Sequence, residues 1–247
     1  MAHWSSLSAV LFGTGAACAA AYTVGAHCWA LSTPHIIRRG PRRTRAVALT
    51  FDDGPHPEFT PRMLDILAQV GVHATFFLIG RAAERFPHIV RAIVEGGHEV
   101  GNHTYHHRPL WLLPPRRTRE EIERGADILA ALTGRPPRYF RPPWGQLNLE
   151  AYRHVVRRGV RPVLWSLRPE GWLPLARPTG IVQAVARTLH PGAILDLHDG
   201  GGLLGTPART AQALPALLTL LRAQGYRCLT LSELLGDADE AGATGVW

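Results

Sequence analysis

After Pro41 the chain alternates short apolar segments with longer amphipathic ones, and no other feature constrains the fold as strongly. The short segments predict seven strands, at 45–51, 73–79, 98–102, 138–141, 161–167, 193–198 and 226–231. Apolar residues at helical spacing predict six helices between them, at 60–70, 81–95, 117–132, 148–158, 178–189 and 207–224. Repeated strand–helix units without a strong break predict an α/β fold whose parallel sheet closes into a barrel-like form.

Two adjacent carboxylates, Asp52 and Asp53, come at the end of the first predicted strand. Neighbouring side chains on a strand point to opposite faces, so the two acids can perform different functions. A second cluster follows the third strand, where His103 and His107 are spaced so that a helical turn would put both imidazoles on one face. One carboxylate and two imidazoles form an open three-ligand metal site, and the other carboxylate is then free to act as a base.

Three more residues suited to catalysis or binding fall at predicted strand ends, namely Arg141, Trp165 and His198. Reactive residues of parallel barrels lie at the carboxyl ends of the strands, so we expect all three to share one site with the acid pair. Two prolines after Arg141 restrict its backbone, and an arginine near Asp52 would favour the ionised carboxylate. We predict that His198 is catalytic, because it ends a barrel strand opposite the acid pair.

Four sequence blocks resemble those of the polysaccharide deacetylases, carbohydrate esterase family four, which share the NodB homology domain. The blocks are Thr-Phe-Asp-Asp-Gly-Pro, His-Thr-x-x-His, Arg-Pro-Pro-Trp-Gly and Leu-x-Leu-His-Asp. They occur in the family's order, and the resemblance covers roughly residues 40–236. It implies a distorted (β/α)7 barrel that holds one divalent metal ion, with zinc expected and cobalt as the alternative.

The resemblance also implies a role for each matching residue. The metal ligands become Asp53, His103 and His107. Asp52 becomes the general base, Arg141 the residue that tunes this base, and His198 the general acid.

Other matching residues are expected to contact the substrate. The backbone N–H of Trp144 would help to bind the oxyanion, and Leu197 would line the pocket for the acetyl methyl group. Trp165 and Trp172 are further expected substrate contacts.

One further block of the family, Asp-x-x-Asp-Trp, is altered in this chain. Arg168 and Gly171 stand where the family has its two aspartates, while Trp172 is kept. In the family the first of these carboxylates orients and tunes the catalytic histidine. Glu170, two positions along, and Asp199 are therefore the candidates for supporting His198.

The amino-terminal segment differs sharply in composition from the rest of the chain. Residues 7–31 contain no Asp, Glu, Lys or Arg, and this length suits a helix that spans a bilayer. We therefore expect an apolar membrane anchor at 1–33 and a deacetylase domain at 34–247. A cleavable signal peptide is the alternative, although no Lys or Arg precedes the apolar run.

The expected location of the catalytic domain is extracytoplasmic, because a glycan polymer is its natural substrate. The arginine cluster at 38–45 argues for the opposite orientation, since positive charge favours the cytoplasmic side of a membrane.

The formal net charge of +8 comes entirely from arginine, because the chain contains no lysine. Such a charge suits nucleic acid, an anionic membrane or an anionic polymer such as cell wall. The chain has no nucleic-acid motif and no interleaving of arginine with aromatic residues, so we expect no nucleic-acid partner. The expected partners are a carbohydrate polymer or lipid-linked glycan and, through the amino terminus, a membrane.

The leading expectation is a metal-dependent N-deacetylase of N-acetylhexosamine units in peptidoglycan or a chitin-like glycan. Two alternatives remain. One is a deacylase or deformylase of a lipid-linked sugar, and the other is a non-catalytic carbohydrate-binding relic.

Overall fold

The computed structural model describes residues 33, 35–43, 45–171, 177–201 and 205–236. The expected anchor at 1–33 therefore lies outside the described residues except for its last position, and Trp172 lies outside them as well. Within the described ranges, no helix is both long enough and apolar enough to cross a bilayer.

Seven parallel strands of the described residues form one curled sheet. They are β1 (Ala46–Gly54), β2 (Thr75–Leu78), β3 (Glu99–Asn102), β4 (Tyr139–Phe140), β5 (Arg161–Pro162), β6 (Ala193–His198) and β7 (Arg227–Leu229). Their order is β5-β4-β3-β2-β1-β6, with β7 paired to the start of β1. A bridge between Leu167 and Leu195 brings the segment after β5 to β6. The sheet thus curls into the distorted (β/α)7 barrel, which confirms the predicted fold class.

The described α-helices pack around the sheet or lie against one end of it. They are α1 (Phe59–Gln69), α2 (Gly80–Arg85), α3 (Pro87–Glu95), α4 (Pro115–Thr133), α5 (Leu149–Arg157), α6 (Pro178–Thr188), α7 (Thr206–Ala223) and α8 (Leu231–Leu235). The helix predicted at 81–95 is two helices, because the chain turns at Phe86 and Pro87 begins a new helix. The short α8 was not predicted; Thr230 and Glu233 form a capping box at its start.

Strand β1 lies at the centre and is buried on both faces, as parallel strands usually are. Val47, Leu49 and Phe51 belong to the large core that includes residues of α1, α6 and α7. Ala46 and Ala48 face the barrel interior, where they join an apolar cluster that includes two leucines of α8. The interior is therefore apolar at the amino ends of the strands. Its polar residues come later along the strands, at the carboxyl ends.

Candidate active site

A cleft of about 530 Å³ opens at the carboxyl ends of the strands. It is lined by residues from all the predicted strand-end motifs, including Asp52, Asp53, His103, His107, Trp144, Trp165, Glu170 and His198. Arg141 lies beneath this lining and is completely buried. The structure thus brings together residues that are far apart in the sequence.

Three side chains in the cleft could hold one metal ion. Oδ1 of Asp53 lies 3.0 Å from Nε2 of His107 and 3.3 Å from Nε2 of His103. The ligand atoms of the three residues all lie within 4.8 Å of one another. This spacing and the mixed nitrogen and oxygen donors fit a divalent cation with an open coordination position.

The hydrogen bonding of His103 supports a cation at this point. Its Nδ1 lies 2.7 Å from the carbonyl oxygen of Arg141, which can only accept, so Nδ1 carries the proton. In the neutral ring Nε2 is then an acceptor, and it faces Oδ1 of Asp53, which is buried and accepts no hydrogen bond from the described residues. Two acceptors that face each other are stabilised by a positive charge between them, which either a metal ion or a proton on Nε2 supplies.

The pKa shifts of these groups have the same origin. Burial lowers the pKa of His103, but the carboxylates of Asp52 and Asp53 outweigh it and raise the pKa. Burial raises the pKa of Asp53, but His103 and His107 outweigh it and hold that pKa well below its ordinary value. The negative charge of the site therefore favours a bound cation.

The two histidines do not lie on a helical turn, contrary to the spacing argument. Thr104 and His107 have positive φ angles of 67° and 60°, so the segment is a tight loop. The N–H of His107 donates to Oγ1 of Thr104, and the N–H of Thr104 donates to Oδ1 of Asn102. These bonds turn both imidazoles toward Asp53.

Asp53 and Trp144 also have positive φ angles, of 70° and 55°. With Thr104 and His107 they are the non-glycine residues of the described chain that adopt this conformation, and all four belong to the site motifs. Positive φ is unfavourable for residues with a Cβ atom and persists where surrounding contacts impose it. The local backbone is therefore shaped by the site rather than by the secondary structure.

Two glycines after His198 permit a close approach to Asp53. A Cβ atom on Gly200 would lie 2.2 Å from the carbonyl oxygen of Asp53, and one on Gly201 would lie 2.5 Å from its Oδ2. Any larger residue would displace the ligand. The glycine run at 200–202 is the signal in the sequence that could have predicted this close approach.

Arg141 holds Asp52 from below. Its NH1 donates to Oδ1 of Asp52 and to Oγ1 of Thr50, both at 2.7 Å, and its NH2 donates to the carbonyl oxygen of Leu164 at 3.1 Å. The guanidinium also lies 4.2 Å from the centre of the Phe77 ring. With Oδ1 held in this way, Oδ2 of Asp52 is 4.0 Å from Nε2 of His103, beside the metal ligands.

His198 is bound by Glu170. Nδ1 of His198 lies 2.5 Å from Oε2 of Glu170, and the backbone N–H of His198 donates to Oε1 at 3.1 Å. Thr210 in α7, which the sequence reasoning missed, donates its hydroxyl to the same Oε1. Burial lowers the pKa of His198, but the hydrogen bond with Glu170 and the nearby carboxylates outweigh it and raise the pKa to about 10. The imidazole is therefore protonated at neutral pH.

Asp199, the other candidate for this support, has a different partner. Oγ1 of Thr60 donates to its Oδ2 at 2.5 Å, and the backbone N–H of Asp199 donates to the carbonyl oxygen of Asp52. Burial raises the pKa of Asp199 to about 7. These bonds connect α1 and β1 to the loop after β6, and among the described residues the partner of the His198 side chain is Glu170 rather than Asp199.

Of the residues expected to contact the substrate, Trp144 and Trp165 line the cleft. Trp144 is 43% exposed at the cleft, and its ring centre lies 4.5 Å from that of His107. Trp165 also lines the cleft, where a Cβ atom on Gly145 would lie 2.7 Å from its ring.

Leu197 does not line the cleft, contrary to expectation. It is completely buried in the core. Neighbouring side chains on a strand alternate between faces, so Asp196 and His198 point into the barrel and Leu197 points away.

Asp196 and Arg168 also line the cleft. In the sequence Arg168 stands out only as a departure from the family pattern, and Asp196 was not among the predicted site residues. An acid within the apolar strand Ala193–His198 was a usable signal. Burial, together with the like charge of Asp52, raises the pKa of Asp196 above its ordinary value.

The sequence and fold both match known proteins. A family model described as polysaccharide deacetylase matches residues 39–163. A peptidoglycan-N-acetylglucosamine deacetylase of Bacillus cereus is 36% identical over 207 residues, which cover 82% of this chain and 94% of that protein. A chitooligosaccharide deacetylase of Bradyrhizobium sp. is 37% identical over 202 residues, covering 77% and 91%.

Solved structures of related proteins have the same fold as this chain. The crystal structure of a peptidoglycan N-acetylglucosamine deacetylase superposes with a TM-score of 0.78 at 35% identity, covering 82% of this chain and 93% of that chain. A CE4 family pseudoenzyme from Bacillus anthracis superposes with a TM-score of 0.74 at 31% identity, covering 82% and 69%. Since the family model matches about half of the chain and the Bacillus cereus relative is covered over 94% of its length at 36% identity, this chain belongs to the polysaccharide deacetylase family.

Proposed function

We propose that the protein is a metal-dependent N-deacetylase that hydrolyses the acetamide group of N-acetylhexosamine units in a polysaccharide. The arrangement that carries the proposal is a carboxylate and a protonated imidazole, Asp52 and His198, in one cleft with the three-ligand cluster. Peptidoglycan and chitin-like glycans are the first candidate substrates, because relatives of this chain are named for activity on them.

Asp53, His103 and His107 would hold one divalent ion. Two imidazoles and one carboxylate are a common ligand set of catalytic zinc, so we propose zinc, with cobalt as the alternative. When bound, such an ion polarises the acyl carbonyl and lowers the pKa of water.

Asp52 would act as the general base. Its Oδ1 is held by Arg141, while its Oδ2 lies on the side of the metal ligands and can accept a proton from the attacking water. A hydrogen bond from the backbone N–H of Trp144 would stabilise the oxyanion as it develops. The positive φ angle of Trp144 and its place in the cleft support this assignment.

His198 would act as the general acid. An amide nitrogen cannot leave as an anion, so it must receive a proton as the bond to the acyl carbon breaks. Nδ1 of His198 is bound to Glu170, which leaves the Nε2 proton available for this step. Glu170 would thus orient the imidazole of His198, as an aspartate does in the family.

Two other functions remain as alternatives. The altered block at Arg168 favours a different substrate, such as an acylated lipid-linked sugar. A non-catalytic relic is suggested by the pseudoenzyme among the similar structures. The presence of the base, the acid and all three ligands in one cleft argues against a relic.

We also propose that residues 1–33 anchor the protein in a membrane, with the catalytic domain at 34–247 on the extracytoplasmic side. The uncharged run at 7–31 supports the anchor. A cell-wall substrate supports this orientation, although the arginines at 38–45 favour the opposite one.

The deciding experiment measures acetate release by the full-length chain in detergent, loaded with zinc. The substrates are peptidoglycan, chitooligosaccharides and a lipid-linked N-acetylhexosamine. We expect release from at least one polymer and loss of release after chelation. Release from the lipid-linked sugar alone supports the second function, and no release from any substrate supports the relic.

A further inference from the structure

Asp196 is a buried acid that the proposed reaction does not use. It lies in β6 two residues before His198, and its register partner in β1 is Thr50. It is 1% exposed, although it borders the floor of the cleft. A buried charge of this kind is costly unless it has a partner of opposite sign.

Two arginines share the carboxylate of Asp196. Oδ1 lies 3.6 Å from NH1 of Arg141, and Oδ2 lies 3.4 Å from Nε of Arg168. Arg141 also binds Asp52 at 2.7 Å. When Asp196 is ionised, the charges of these two guanidinium groups and two carboxylates therefore balance beneath the cleft.

The balance depends on Asp196. Without its charge, the ionised carboxylate that both guanidinium groups approach would be gone. The two cations would then repel each other in a buried environment. This repulsion would move Arg141, and with it Asp52, from its place beside the metal ligands.

We propose that Asp196 is a positioning residue for the deacetylation reaction, which holds Arg141 on Asp52 by neutralising Arg168. This inference rests on the proposed function. It also explains how an arginine can stand at position 168, where the family has an acid: the compensating carboxylate is on the neighbouring strand β6.

A double-mutant cycle on kcat tests the proposal. The single variants are Asp196→Asn, which keeps the shape and removes the charge, and Arg168→Met, which keeps the length and removes the charge. We expect Asp196→Asn to lower kcat by about 30-fold while KM changes by less than about threefold. We expect the double variant to recover at least about tenfold of this loss, because removing Arg168 restores the balance.

Three controls accompany the cycle. Metal content and Tm are measured for every variant, and Asp65→Asn in the exposed part of α1 should leave kcat unchanged. A double variant as slow as Asp196→Asn, or an Asp196→Asn variant that loses Tm but keeps kcat, refutes the positioning role. A wild-type protein that releases no acetate refutes the proposed function instead, and the positioning role with it.

Discussion

The two walls of the cleft differ in how closely they follow the family pattern. The wall built from β1 and the loop after β3 keeps every expected residue: Asp52, Asp53, His103 and His107. The wall built from the segment after β5 and from β6 has lost both family aspartates and carries Arg168, Glu170 and Asp196. The ligands of one ion must meet at a single point, so a ligand residue cannot move to another position in the sequence. The imidazole of His198 needs only a carboxylate within hydrogen-bonding distance, so that carboxylate can come from a different position.

The largest expected effect is on the metal side. His103→Ala removes a ligand and should abolish bound metal and lower kcat/KM by about 1,000-fold or more, since the ion both polarises the carbonyl and activates water. Metal analysis of the purified variant and acetate release check both effects. His88→Ala, outside the cleft lining, is the control. Stoichiometric metal in His103→Ala would show that the ligand assignment is wrong.

Asp52→Asn should separate the base from the ligands beside it. The amide cannot accept a proton, so we expect kcat to fall by about 100- to 10,000-fold while metal content is unchanged. Acetate release and metal analysis are measured on the same sample. Turnover near that of the wild type would remove Asp52 from the base role, and loss of metal would place Asp52 among the ligands.

A smaller effect on kcat is expected from a change at Glu170, the partner of the general acid His198. Glu170→Gln removes the charge that raises the pKa of His198, so kcat should fall by about tenfold, in the range of a partly lost acid–base contribution. The limb of the pH–rate profile that reports loss of the acid should move to lower pH. Glu95→Gln, an exposed glutamate at the end of α3, is the matched control. A profile identical to that of the wild type would make Glu170 a structural residue only.

The pairing of His198 with Glu170 should also make the stability of the fold depend on pH. The pKa of His198 is raised to about 10, above its ordinary value, so its pairing stabilises the fold fully below about pH 6.5. This contribution is lost as pH rises through about 10. Thermal unfolding of the wild type and Glu170→Gln should therefore differ most near pH 6 and least above pH 10. A constant difference across this range would contradict the pairing.

The smallest effect on kcat is expected from removal of the amino-terminal segment, which belongs to neither wall of the cleft. Removal of residues 1–33 should leave kcat on a soluble oligosaccharide within about twofold of that of the full-length chain, since remote changes seldom alter chemistry. The shortened chain, beginning at Pro34, should be soluble and show the same Tm. An insoluble or unfolded product would show that the segment packs into the catalytic domain.

The local pattern of apolar and polar residues was sufficient to predict most of the strands and helices. The predicted strands and helices correspond closely to the observed ones, because each pattern reflects burial of one segment against the same core. The division of one helix at Phe86 was missed, although Pro87 was a visible signal. The strands β4 and β5 are shorter than predicted, with only two residues each, and after β5 the pairing continues only as isolated bridges at Val163 and Leu167.

The site was predictable where spacing determines geometry. The three ligands and Asp52 lie within short motifs, so the residues that meet in the cleft could be named. Leu197 was misplaced because the motif does not state which face of β6 points into the barrel. The contact of Thr210 with Glu170 joins residues 40 positions apart and depends on the packing of α7, which no local pattern contains.

The two glycines beside Asp53 have a consequence for how such enzymes lose their activity. A single added methyl group at Gly200 would press on the carbonyl oxygen of Asp53 and turn the ligand away. An inactive descendant could then arise in one mutational step with every catalytic and ligand residue still in place. Counting intact motifs in a relative is therefore insufficient evidence of activity, and positions 200 and 201 should be inspected together with the ligands.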